Sequence, residues 1–239
     1  MNIKRRVVCI IQARMGSSRL PGKSMMKLGN KTLIEHVIKR AMQAHLVDKV
    51  VLATTKNDED DILADKAEKI SVDSFRGSTN DLMDRYYYAA KEHGADIVVR
   101  IPADNPLIMP YYIDKIIRYF KNEDLDFASN IGPYLDNKCP DGFGAEVFSF
   151  NALKHIYNTV FDKYHREHVT SVFRDNLGMY KVGTIECDLE HHRSDIILDI
   201  NTQGEFDYMK KLFSEVENSD LYNIEKIISW VDNTSIHRQ

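Results

Sequence analysis

Arg14, Arg19 and Lys23 stand in Ala13-Arg14-Met15-Gly16-Ser17-Ser18-Arg19-Leu20-Pro21-Gly22-Lys23, three spaced cations in a break of glycine, serine and proline. Glycines let backbone N–H groups approach oxygen atoms closely, while Arg and Lys bring charge, so the stretch has the makings of a polyanion site. Pro21 stiffens the turn and lowers the ordering cost of binding. The plain alternative is a basic surface loop whose cations are only solvated. Two better-known phosphate motifs fail letter by letter. Five residues, not four, separate Gly16 from Gly22-Lys23-Ser24, Ser17 holds the position a P-loop gives to glycine, and no Gly-x-Gly-x-x-Gly follows the first apolar run.

A carboxylate belongs with such cations, and Asp104 is the first candidate. It follows the apolar run Ile97-Val98-Val99 and lies between Pro102 and Pro106, which exclude regular pairing and hold it in a fixed turn. An Asx-turn would use the same side chain structurally. Position favours the functional reading, because ligands of open α/β sheets sit outside the carboxyl ends of strands.

The elements that must position these residues alternate through the first half of the chain, which predicts a mostly parallel sheet. Val7-Val8-Cys9-Ile10-Ile11 reads as a buried strand leading into the loop. Thr32 caps a helix with Leu33, Ile34, Val37, Ile38 and Ala41 on one face, and Lys49 to Ala53 is a strand. Asp58 caps a helix carrying Ile62, Leu63, Ala67 and Ile70, and a third helix starts at Ser78 or Thr79 with Asp81 in its first turn. From about 131 to 180 the rhythm is lost at Gly132-Pro133, Cys139-Pro140-Asp141-Gly142 and Gly144, with helices expected over 151–160 and 164–174. That segment is expected as an insertion over the sheet edge, within a single domain spanning 1–239. A strand over 196–200 ends in Asp199-Ile200-Asn201-Thr202, where Thr202 caps a helix with Phe206, Met209, Leu212 and Phe213; a short helix, 224–231, carries Trp230.

Composition narrows the partners. A net charge of −4 over 239 residues, with no long basic stripe, argues against a general nucleic-acid binder, so local cations serve a local anion. Cys9, Cys139 and Cys187 are isolated and lack C-x-x-C spacing, which predicts buried reduced thiols and neither a disulfide nor a zinc site. His165 and His168 are three apart without the H-E-x-x-H order, and read as ordinary helix residues. Met1 to Arg6 is basic, but the apolar run after it is too short for a secretory signal or a membrane span, so a cytoplasmic protein without membrane insertion is expected.

The chain resembles cytidylyltransferases of the spore-coat polysaccharide SpsF type, within the group that includes acylneuraminate and 3-deoxy-manno-octulosonate cytidylyltransferases. The resemblance covers nearly the whole chain. It rests on Ile11 through Lys23, Phe75-Arg76-Gly77-Ser78 through Asp84-Arg85-Tyr86, Val99-Arg100 through Asp104-Asn105-Pro106, Asp141-Gly142 through Glu146-Val147, and Glu167-His168-Val169-Thr170. It implies an α/β class and a Rossmann-like nucleotide-diphospho-sugar transferase fold, with a mostly parallel central sheet and helices on both faces. CTP as donor, an acidic sugar or sugar phosphate as acceptor, Mg²⁺ and a homodimer, with 131–180 serving the acceptor or the dimer contact, are implied as well.

On this resemblance an acceptor oxygen attacks the α-phosphorus and pyrophosphate leaves, so catalysis is positioning and charge neutralisation. Arg14, Lys23, Asp104 and Asp199 become the catalytic set. Ala13, Arg14, Gly16, Ser17, Arg19 and Lys23 hold the phosphates, and Arg76, Gly77, Ser78 and Asp81 lie where such enzymes read the base. Arg100, Asp141, Glu146, Glu167, His168 and Arg193 are expected around the acceptor, each with a structural role as the alternative. Mg²⁺ falls to Asp104 and Asp199, assisted by Asn201, where many relatives carry a second Asp. Two other classes are carried alongside: a glycosyltransferase, disfavoured by the single acid in Asp104-Asn105-Pro106, and a silent binding module, disfavoured by the intact cations and acids.

Overall fold

The computed structural model describes residues 4–131 and 136–234; the expected Gly132-Pro133 turn lies outside them. In chain order the elements are β1 (Val7–Gln12), β2 (Lys27–Leu28), β3 (Lys31–Thr32), α1 (Leu33–Ala41), β4 (Lys49–Thr55), α2 (Asp61–Lys69), β5 (Asp73–Gly77), α3 (Leu82–Glu92), β6 (Ile97–Pro102), α4 (Pro110–Asn122), β7 (Phe127–Ser129), β8 (Glu146–Ser149), α5 (Phe150–Thr159), α6 (Lys163–Glu167), α7 (Ser171–Asp175), β9 (Val182–Gly183), α8 (Gln203–Glu215) and α9 (Ile224–Asn233). Single 3₁₀ turns cover Lys23–Met25 and Asp58–Asp60, among others.

β1 is apolar from Val7 to Ile11 because those residues are buried on both faces, as strands inside parallel sheets are. Val7, Cys9 and Ile11 face a core closed by α1, α2, α4, α8 and α9, while Val8 and Ile10 face a second core closed by α3, α5 and α7. β1 pairs in parallel with β4 on one side and β6 on the other, and β5 continues outward from β4. The full order is β5-β4-β1-β6-β8-β7-β9, a mixed and mostly parallel sheet with helices on both faces.

Several expectations hold at the level of caps. Thr32 and Thr202 each form a capping box, with Glu35 and Glu205, at the start of α1 and α8. Others shift. The third helix begins at Leu82, because the Asp81 carboxylate accepts from the Asp84 N–H and ends the preceding turn. The pattern over 164–174 splits into α6 and α7, since Val169 and Thr170 are buried and the Thr170 hydroxyl donates to Glu146 at 3.1 Å.

Two departures matter for the site. The stretch 131–180, expected over the sheet edge, supplies β8 to the sheet interior, antiparallel to both β6 and β7. Residues 196–200, expected as a strand, form an extended strap tied to two loops: Asp141 N–H donates to Ile196 O at 2.9 Å, Leu198 N–H to Asp141 O at 3.0 Å, and Ile200 N–H to Asp104 O at 3.0 Å. The cysteine expectation is corrected too. All three are buried, but Cys139 and Cys187, 48 residues apart, are joined in a disulfide that ties the loop preceding Asp141 to the segment preceding the strap; only Cys9 is free among the described residues. No helix among those residues is long and apolar enough to cross a membrane.

Candidate active site

The chain leaves β1 for β4 on one side and later returns to β6 on the other, so the carboxyl ends of β1 and β6 flank a topological switch point, where open α/β sheets leave a crevice. The loop 13–23 leaves β1 there and Ala103-Asp104 leaves β6 beside it. The loop is built, not loose. Met15 N–H donates to Asp60 Oδ1 at 2.6 Å, and Asp60, fully buried, also accepts from the Thr55 hydroxyl. Gly22 N–H returns to Met15 O at 2.9 Å with φ +74°, a left-handed turn that suits glycine, and this swings Lys23 back across the strand ends. Gly16 passes Glu59 closely: a Cβ there would stand 3.1 Å from its Oε1.

A cleft of about 230 Å³ results, lined by Gln12, Ala13, Arg14, Ser17, Ser18, Arg19, Lys23, Ser24, Leu82, Arg85, Pro102, Ala103, Asp104, Glu167 and Asn201. Lys23 Nζ donates to Asp104 Oδ2 at 3.0 Å, Ile200 O at 2.7 Å and Asn201 Oδ1 at 3.4 Å. Arg19 Nη2 donates to the same Asn201 oxygen at 2.6 Å, and the Asn201 amide nitrogen donates to Asp199. Arg14 reaches Glu167 at 3.2 Å; with side chains 43% and 39% exposed this pair is worth little, so either partner is free to exchange it for a ligand.

Behind the cleft lies a second polar layer. Arg100 forms a buried ion pair with Glu146 and donates through Nε to Gln12 Oε1 at 3.1 Å, while Tyr86 donates to the same oxygen. Burial opposes the Arg100 charge, but Glu146 together with Tyr86 and Asp104 offsets it and the pKa is raised. Asp141 sits at the edge of this layer. Burial, then the charges of Asp199, Asp104 and Glu146, push its carboxyl from 3.8 up to about 6, against a Gly142 N–H that favours the ion. A carboxyl whose pKa rises on folding stabilises the fold while protonated, and that contribution fades as pH climbs from about 4 through about 6. Asp141→Asn is therefore expected to be more stable than the parent at pH 7, by about 1–3 kcal/mol, and no more stable at pH 3.5. Melting curves at the two pH values check this; an equal advantage at both would show that packing, not charge, is responsible.

Several residues expected at the site lie outside the lining of this cleft. Arg76 is turned to Asp61 at 2.5 Å and to the carbonyls of Thr55 and Asn57, both at 2.9 Å, bracing the edge of the sheet. Gly77 leaves no room for a Cβ, which would meet the Phe75 ring at 2.8 Å. Ser78 offers its carbonyl to Arg85, and Asp81, besides capping α3, pairs with Arg166 at 2.5 Å. His168 ends α6 with its ring against Tyr164. Arg193 is held between Asp195 at 2.8 Å and Asp232 at 2.7 Å, away from the cleft lining. Gln12, Asp60 and Arg85 were not anticipated. Arg85 had a signal: three residues after Leu82 and four before Ala89, it is a charge on the buried face of α3.

The acids can be tested against a divalent cation. Asp104 and Asp199 are carried by two segments that the Ile200–Asp104 backbone bond holds together, and their charges add to burial in raising the Asp141 pKa. Hard carboxylate oxygens, one or two of them completed by substrate phosphates, are the donor set Mg²⁺ accepts. The residues fit, with one condition: among the described residues no three His, Cys, Asp or Glu side chains are placed to hold an ion unaided.

Comparison with known proteins bears on the family and the fold. The spore coat polysaccharide biosynthesis protein SpsF of Bacillus subtilis is 30% identical over 215 residues, 87% of either chain. The structure of a cytidylyltransferase from Leptospira borgpetersenii serovar Hardjo-bovis superposes with a TM-score of 0.90 at 29% identity, over 99% of this chain and 98% of the other. A CMP:2-keto-3-deoxy-manno-octonic acid synthetase complexed with CTP shares the fold, with a TM-score of 0.67 at 17% identity over 88% and 99% of the two chains. Residues 8–227 match the family model for Cytidylyltransferase, and the chain belongs to that family.

Proposed function

We propose that this CTP-dependent nucleotidyltransferase moves CMP from CTP to an oxygen of an acidic sugar of surface-polysaccharide synthesis, releasing pyrophosphate, with Mg²⁺ held by Asp104 and Asp199. The observation that carries the reading is the convergence of Arg19 and Lys23 on Asn201 and Asp104 at the switch point, with Arg14 across the cleft. The polysaccharide role named for the SpsF relative and the acid-sugar synthetase of the same fold support the acceptor class.

Phosphoryl transfer asks the protein for placement and charge. Loop 13–23, fixed to Asp60, presents its cations to the phosphate chain, and Lys23 is positioned to neutralise charge as the pyrophosphate departs. Arg14, released from Glu167, contributes to the same anion, and Glu167 is then available as an acceptor for a sugar hydroxyl. The buried Arg100–Glu146 pair with Gln12 and Thr170 keeps the floor of the cleft rigid. When bound, Mg²⁺ would draw electron density from the α-phosphate and neutralise charge between Asp104 and Asp199.

CTP with Mg²⁺ is expected to raise the melting temperature more than ATP, GTP or UTP, because only binding to the native state stabilises it. At 100 times Kd the effect is about 2.7 kcal/mol. Equal shifts for all four nucleotides would remove the base selectivity. Pyrophosphate release with a panel of acidic sugars then identifies the acceptor.

A further inference from the structure

We infer that Arg85 is a further phosphate-binding cation of the cleft, gripping the pyrophosphate portion of the nucleotide together with Arg14; this rests on the nucleotidyl-transfer reading above. Arg85 is 3% exposed yet lines the cleft. Among the described residues its side-chain hydrogen bonds go to carbonyls: Nε donates to Ser78 O at 2.9 Å and Nη2 to Thr79 O at 3.5 Å. The carboxylates whose charge reaches it are both engaged. Asp60 holds Met15 N–H and the Thr55 hydroxyl, and Glu167 holds Arg14. A buried guanidinium without a carboxylate of its own is costly unless an anion is its intended partner.

The surroundings are shaped for this placement. Gly77 has no side chain where a Cβ would lie 2.9 Å from Arg85 Cγ, so the arginine stem can run beneath the end of β5. Arg14 Nη1 donates to the same Thr79 oxygen at 3.4 Å, so two guanidinium groups converge on one carbonyl. Their mutual repulsion, added to burial, disfavours the Arg85 charge in the free protein. An anion reaching both forks at the mouth of the cleft relieves that repulsion, and planar forks suit phosphate oxygens.

The test compares the parent chain with Arg85→Met and Arg85→Lys by calorimetric titration of CTP, CMP and inorganic pyrophosphate, alongside melting without ligand. Arg85→Met keeps the stem's packing and removes the charge. It should melt no lower than the parent, bind CMP within about threefold, and lose about tenfold or more for CTP and pyrophosphate, the weight of a charge-assisted hydrogen bond. A lower melting temperature with unchanged pyrophosphate affinity would make Arg85 a structural brace and overturn the inference. Should Arg85→Met not fold, Arg85→Lys decides: pyrophosphate affinity reduced with CMP affinity kept supports the clamp, and both kept overturns it. A parent that binds pyrophosphate through Arg85 without turning over CTP leaves the clamp standing and removes the transferase reading. A parent that binds neither ligand overturns both.

Discussion

Lys23→Ala lowers turnover by roughly 10²- to 10³-fold, the usual weight of one preorganised charge at a transition state, while CMP affinity falls by no more than about threefold. The asymmetry follows from where charge develops. CMP lacks the two phosphates that leave, so a cation placed for the departing pyrophosphate contributes to the transition state and little to CMP binding. Lys23 suits that task because its three hydrogen bonds, to Asp104, Ile200 and Asn201, hold the ammonium at a fixed point. Arg19→Ala should act in the same direction with a smaller effect, since its side chain is anchored by one hydrogen bond among the described residues, to the Asn201 amide. Steady-state turnover and CMP titration check the pair of effects. CMP affinity falling as far as turnover would mean that Lys23 shapes the loop instead of meeting the leaving group.

The second large effect concerns the acids. Asp104→Asn and Asp199→Asn are each expected to reduce turnover by about 10³-fold, as a lost charge next to a catalytic cation does, whereas Asn201→Asp keeps activity and lowers the Mg²⁺ concentration required. The Asn201 amide presents its oxygen to Arg19 and Lys23 and its nitrogen to Asp199, so it orients Asp199 while adding no charge. A carboxylate there adds charge for the ion. Turnover against Mg²⁺ at saturating CTP, with Mg²⁺-dependent melting shifts as a readout independent of activity, tests all three variants. Near-normal turnover and Mg²⁺ dependence in Asp199→Asn would reduce Asp199 to a strap residue.

Local features of the chain were legible where the cause is local. The uninterrupted apolar run of β1, the capping threonines and the cation loop each declare themselves within a few residues, and the structure sets loop 13–23 against Asp104 as the strand ends suggested. What the sequence hid depends on partners far away. Arg76 and Arg193 look like free cations until Asp61, Asp195 and Asp232 are found beside them. Cys139 and Cys187 carry no spacing signal because 48 residues separate them. β8 reads as a remnant between loops, since its short apolar run acquires meaning only between β6 and β7. Asp60 looks like one of several surface acids near a helix start, yet its burial under Met15 is what fixes the loop.

The placement of β8 sets an order of events during synthesis, when chains emerge and fold from the N-terminus. By residue 102 the chain holds β5-β4-β1-β6, a four-strand sheet that already carries the cation loop. β7 has no bond to β6 of its own; β8, emerging some forty residues later, joins the two. Until then β6 is an open edge of Ile97, Val98 and Val99, the sort of apolar strand that pairs with the wrong chain. The nascent chain carries that open edge from the emergence of β6 until the emergence of β8, and a pause in that interval would lengthen the time the edge stands uncovered.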